Sequence, residues 1–101
     1  MSVPNVLPAA QDEIAEAIDW YELRRPGLGV EFLGAVDLAL RAIADAPDRY
    51  PAWQENQRYR RLVLDRFPYA VFFHLTGTVP EVVAVAHARR RPGYWLNRVA
   101  P

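Results

Sequence analysis

The chain has 101 residues, 51% of them apolar and 24% charged, which describes one globular domain over residues 1–101 and argues against disorder. Cysteine is absent, which excludes disulfides, thiolate metal sites and a cysteine nucleophile. Two histidines, His74 and His87, without clustered carboxylates predict no metal site and no cofactor.

The net charge of zero hides a division. Through Asp48, nine acids meet three arginines, a net of −6; from Arg49 onward, nine arginines meet three acids, a net of +6. Every cation is arginine, whose forked donors suit carboxylates and phosphates. Codon bias accounts for the missing lysine as well as chemistry does, but it leaves the segregation unexplained. No apolar run approaches the ~20 residues of a membrane span. Met1-Ser2-Val3-Pro4 lacks the basic and apolar regions of a signal peptide, so the cytoplasm is the expected location.

In chain order, residues 3–7 predict a short first strand, kept at an edge by Pro4. Pro8 suits the first position of a helix, and Asp12, Glu13 and Glu16 follow in its first turns, near the positive end of the dipole. Ile14, Ala17, Ile18 and Tyr21 recur at helical spacing as a buried stripe, and Pro26-Gly27 ends the helix after Arg24 and Arg25. Leu28-Gly29 links to a second helix with Phe32, Leu33, Val36, Ala39, Leu40 and Ile43 as its apolar face, closed by Pro47. So short a link predicts an antiparallel helical hairpin, which must bury its apolar faces on a sheet.

Residues 47–57 carry two prolines, Tyr50 and Trp53, and read as a crossing loop, either a plain connection or a partner-binding one. Two β-runs follow, 59–64 and 69–75, joined at Asp65-Arg66-Phe67-Pro68. In the second, Tyr69, Val71, Phe73 and Leu75 alternate with Ala70, Phe72 and His74, as in a central strand. Arg58, Arg60, Arg61 and Arg66 crowd the first run and its turn. Gly77-Thr78-Val79-Pro80 predicts another turn, and 82–87 a last strand ending in Arg89-Arg90-Arg91, Tyr94, Trp95 and Arg98. The order is β-α-α-β-β-β: an α+β fold with two helices on one face of a small antiparallel sheet.

Three segments, WYELRRPGLGVEF, RRLVLDRFPYAVFF and VVAVAHARRRPGYW, give the chain a pattern that resembles the RelE/ParE toxins of type II toxin–antitoxin systems. The resemblance covers roughly residues 9–98. It implies a growth-inhibiting toxin, of a kind linked to plasmid stabilisation, held inactive by a ParD-like antitoxin with an acidic C-terminal segment. Operator DNA would be met only through that antitoxin. One branch of the family cleaves messenger RNA on the ribosome; the ParE branch lacks that chemistry and is associated with poisoning DNA gyrase. Members similar to RelE carry an arginine after an aromatic on the third strand and another at the end of the last. Here Ala70 and Ala88 occupy those places, and only Tyr94 matches the C-terminal tyrosine. The resemblance therefore leans to a ParE-like, non-nuclease inhibitor.

Two other readings remain open: a ribonuclease using His87, Arg89, Tyr94 or Arg61, and an inactive relative that only binds antitoxin. For target or antitoxin binding the candidates are Arg58, Arg60, Arg61, Arg66, Arg89, Arg90, Arg91, Trp95 and Arg98. Each also has a plain structural reading: a solvated edge strand for the arginines of the first run, a solvated cap for Arg89-Arg90-Arg91, and packing for Trp95. His87 alternates with Val83 and Val85 at the sheet margin, where a hydrogen bond explains it as well as catalysis does. His74 is expected to be structural.

Overall fold

The computed structural model describes residues 4–99. The elements are β1 (Asn5–Val6), α1 (Pro8–Arg24), α2 (Leu28–Asp45), a 3-10 turn (Pro47–Arg49), β2 (Ala52–Trp53), β3 (Asn56–Val63), β4 (Tyr69–Thr76), β5 (Val79–His87) and a 3-10 turn (Leu96–Arg98). The first strand was expected from Val3, which lies outside the described residues. The five strands form one sheet in the order β1-β5-β4-β3-β2.

The sheet is mixed rather than antiparallel, because β1 lies parallel to β5. Alternation along a strand reveals which side chains share a face but not which strand lies alongside. The predicted loop over 47–57 also contains an element, the edge strand β2, which meets β3 at Arg60 and Asn56. The last turn is tighter than the sequence suggested. Only Gly77 and Thr78 leave the ladder, with Gly77 at φ 66°, a conformation that suits glycine first in a two-residue hairpin.

The helices cover one face of the sheet. Ala10, Ala17 and Tyr21 of α1 and Phe32, Val36, Ala39 and Ile43 of α2 are buried on Val71, Phe73, Val82 and Val85. An aromatic knot of Tyr21, Phe32, Phe67 and Tyr69 closes one end, with ring centres 5.0–6.2 Å apart. Leu33, expected in the core, is instead 47% exposed. The first turn of α1 is Pro8-Ala9-Ala10-Gln11, so Asp12 and Glu13 begin its second turn.

The helical link is Arg25-Pro26-Gly27, and α2 already begins at Leu28. No side chain at its N-cap meets the free N–H groups there; the Glu22 carboxylate, reaching back from α1, does. It accepts from the N–H of Gly27 (2.9 Å) and of Gly29 (3.0 Å). Gly29 is required by proximity: a Cβ there would lie 2.7 Å from the Ile18 carbonyl oxygen.

Candidate functional site

Among the described residues, no α-helix covers the other face of the sheet. Residues 88–99 cross it as a strap, fastened at its start by the Ala88 N–H donating to the Pro68 carbonyl (2.7 Å). Trp95, 1% exposed, is driven into this face among Phe72, Tyr59 and Trp53, with ring centres 4.7, 4.8 and 5.2 Å away. Val83, Ala84 and Ala86 join this second core. Val83 belongs there because of a bulge: Phe72 is opposite Ala84 and Phe73 opposite Val82, which leaves Val83 as an extra residue. The simple alternation of Val83, Val85 and His87 is therefore broken, and Val85 packs under the helices.

Beside Trp95 the face stays open. Val63, Ala70 and Ala86 stand opposite one another across three strands, and their short side chains leave a cavity of about 340 Å³. Trp53, Phe72 and Trp95 wall one side, while His87, Ala88, Pro92 and Tyr94 wall another. Arg61, opposite Phe72 on the sheet, joins Arg90 and Arg91 of the strap in lining it; Glu55 is the acid present.

The strap is held by an acid of α1. Glu13 accepts two hydrogen bonds from the Arg98 fork, 2.8 and 3.0 Å, and one from the Tyr94 hydroxyl. The same ion pair finishes the sheet. β1 pairs with β5 only at Glu81 and Val82, so β5 continues with no neighbouring strand on that side. There the Val85 N–H donates to Glu13 (3.0 Å), and the Val83 carbonyl accepts from Arg98 (3.1 Å). Burial first, then the bond to Glu13, pushes the Tyr94 phenol well above its ordinary pKa. The Glu13 hydrogen bond likewise raises the Arg98 guanidinium, so that cation is permanent.

The candidate arginines are thus divided. Arg61, Arg90 and Arg91 meet at the cavity, along with Trp95, Tyr94 and His87. Arg89 is exposed and outside its lining. Arg98 belongs to the clasp. Arg60 donates to the Tyr50 carbonyl (2.6 Å), and Arg66 pairs with Glu31 on the helical side (2.7 Å), where Arg25 joins it (3.2 Å). The hydrogen bond from Arg66 leads in holding the Glu31 carboxyl below its usual pKa. Arg58 lies near the Tyr59 ring, 5.6 Å from its centre. The expected single cationic rim therefore reduces to three guanidinium groups at one cavity.

The titratable candidates are similarly occupied. His87 packs edge-on to Tyr69 (5.0 Å), and its Nδ1 accepts the Arg89 N–H (3.0 Å). Tyr94 lies beneath Arg90, whose guanidinium is 3.8 Å from the ring centre. His74 is buried with its Nε2 2.8 Å from Glu81, its cross-strand neighbour. Among the described residues no group of three or more His, Cys, Asp or Glu is placed to hold a metal ion. Glu13 was missed as a site residue. The signal was present: it lies three residues after Ala10 and four before Ala17, so an acid falls on the buried stripe and needs a cationic partner there.

A helical hairpin packed on one side of a small mixed five-stranded sheet is the architecture of a ParE-like toxin. The family model of the ParE toxin of the type II toxin–antitoxin system, parDE, matches residues 5–92, and the chain belongs to that family. A solved structure described as the chromosomal ParDE toxin–antitoxin system from P. aeruginosa is similar in fold. Its TM-score is 0.76 at 14% identity, covering 88% of this chain and 98% of that one. A search of characterised proteins by sequence gives no match. The chain is a toxin of a type II system, and a cognate antitoxin is its partner. No helix among the described residues is long and apolar enough to cross a membrane.

Proposed function

We propose that the toxin stops growth without cutting RNA, by acting on DNA gyrase and so on replication in the cytoplasm. The supporting observation is the floor of the cavity, where Ala70, Ala86 and Ala88 offer only methyl groups. Activating a ribose hydroxyl needs a base within hydrogen-bond reach, and stabilising the phosphorane needs fixed donors. Tyr94, the strongest match to the nuclease pattern, has its hydroxyl committed to Glu13. The nuclease reading draws only on His87 and the three guanidinium groups at the cavity. Assays of gyrase supercoiling and of ribosome-bound message, run with the same purified toxin, decide between them. Gyrase inhibition with intact message is expected; cleaved message overturns the proposal.

The antitoxin is assigned to the helical side. Val30, Gly34 and Leu38 form an outward stripe on α2 at four-residue spacing, and Val30 and Leu38 are 71% and 70% exposed. A groove of about 660 Å³ runs from this stripe to Val63 of β3. Pairing with β2 ends near there, the Arg61 N–H donating to the Pro51 carbonyl (3.3 Å), so the Val63 edge accepts an added strand. An antitoxin segment that is helical along α2 and extended along β3 covers both, and it alone brings the complex to operator DNA. Toxin expressed without it is expected to be poorly soluble or to arrest growth. A well-behaved monomer with no effect on growth argues against this assignment.

A further inference from the structure

We propose that the alanine-floored cavity is the recognition site for the toxin's protein target, receiving one bulky apolar side chain from an acidic segment of that target. This deepens the reading of a non-nuclease toxin and rests on it. The cavity exists because three small side chains share one row, Val63, Ala70 and Ala86, while the adjoining row is filled by Phe72 under Trp95. A cavity of about 150 Å³ suffices for a benzene ring, so 340 Å³ admits a large side chain together with part of its backbone.

Its charge selects the partner. Arg61 and Arg91 have no ion-pair partner among the described residues, and Arg90 is held in place on the Tyr94 ring. Tyr94 is itself fixed by Glu13, so the guanidinium is preorganised and little rotamer freedom is lost on binding. Apolar anchoring at the centre with cations on the rim is the pattern of a protein interface. Single-stranded nucleic acid needs exposed aromatic faces on which to stack. Of the rings lining it, Trp53, Phe72 and Trp95 are buried, Tyr94 is covered by Arg90, and Tyr69 packs against His87.

The test uses the full chain in two variants, Ala70→Leu, which fills the cavity, and Arg90→Glu combined with Arg91→Glu, which reverses the strap side of its rim away from the β3 edge. Growth arrest on induction, inhibition of purified gyrase, affinity for the cognate antitoxin and binding of a single-stranded RNA oligonucleotide are measured for each. Both variants are expected to weaken growth arrest by about tenfold or more, as loss of an interface anchor does, while antitoxin affinity stays within about twofold. Retained antitoxin binding shows that each variant is folded. Arrest unchanged in Ala70→Leu overturns the proposal, as does a parallel loss of antitoxin affinity, which makes the cavity an antitoxin site. RNA binding by the wild type that is lost in the charge-reversed variant overturns it in favour of a nucleic-acid site. If wild-type toxin leaves gyrase untouched, the gyrase reading falls alone, and the cavity is judged on growth arrest.

Discussion

The two faces of the sheet are made from the same alternating strands and are sealed by different means. On one, 35 helical residues spread a continuous apolar layer over Val71, Phe73, Val82 and Val85. On the other, a strap of a dozen residues supplies essentially one large side chain, Trp95. The helical face is closed by area, the strap face by a single wedge. The part the wedge cannot reach is where Ala70, Ala86 and the guanidinium groups of Arg61, Arg90 and Arg91 lie. On the strap face, incomplete burial thus falls at the cavity, whereas on the helical face it falls on the outer side of α2, at Val30 and Leu38.

Four measurements break or sharpen that contrast, beginning with the largest effect. Trp95→Ala and Phe73→Ala should each cost about 3–5 kcal/mol in urea denaturation, as large core truncations do. The tryptophan change should also abolish target recognition, because the cavity wall goes with it; if Trp95→Ala costs less than about 1 kcal/mol, the wedge is not what holds the strap. Glu13→Gln should follow, at about 2–3 kcal/mol, since it leaves the Arg98 cation half-buried and unpaired. The same variant should raise hydrogen exchange at residues 94–98 while leaving the helical hairpin protected.

Gly29→Ala tests the opposite face and is expected to cost about 1–3 kcal/mol through the clash with the Ile18 carbonyl. The last measurement is a tyrosine titration. Burial leads in raising the phenols of Tyr21, Tyr69 and Tyr94 in the folded chain. Their contribution to stability is complete below the unfolded value of about 10 and is lost as pH rises through the higher folded values. Absorbance at alkaline pH should therefore show part of the tyrosine signal delayed, moving with unfolding. Glu31 behaves in the opposite sense. Its lowered carboxyl contributes above the unfolded carboxylate range and loses that contribution as pH falls through the folded value, a small effect on an exposed pair.

Much of the fold was legible in the residues. Period 3.6 in the first half and period 2 in 69–75 led to both helices and the central strand, because each pattern follows directly from burying one side of a regular element. What escaped depends on neighbours distant in the chain. Ala52–Trp53 is strand only because β3 lies beside it, and Asn5–Val6 runs parallel because β5 does. The bulge at Val83 arises from the mismatch of two strands rather than from either one. For the site, clustering of arginine in the second half pointed to Arg61, Arg90 and Arg91, which line one cavity, but could not separate them from Arg60, Arg66 and Arg98. Those three have partners on Tyr50, Glu31 and Glu13, residues 10, 35 and 85 positions away.

The clasp between Glu13 and Arg98 also has a consequence in time. Arg98 leaves the ribosome 85 residues after Glu13, whereas the Glu22 cap joins residues only seven apart or fewer. The helical hairpin is therefore free to form on the nascent chain before the strap has emerged to settle. The cavity is completed only after the hairpin, so a chain cut short between the two retains the hairpin without the residues of the strap that line the cavity.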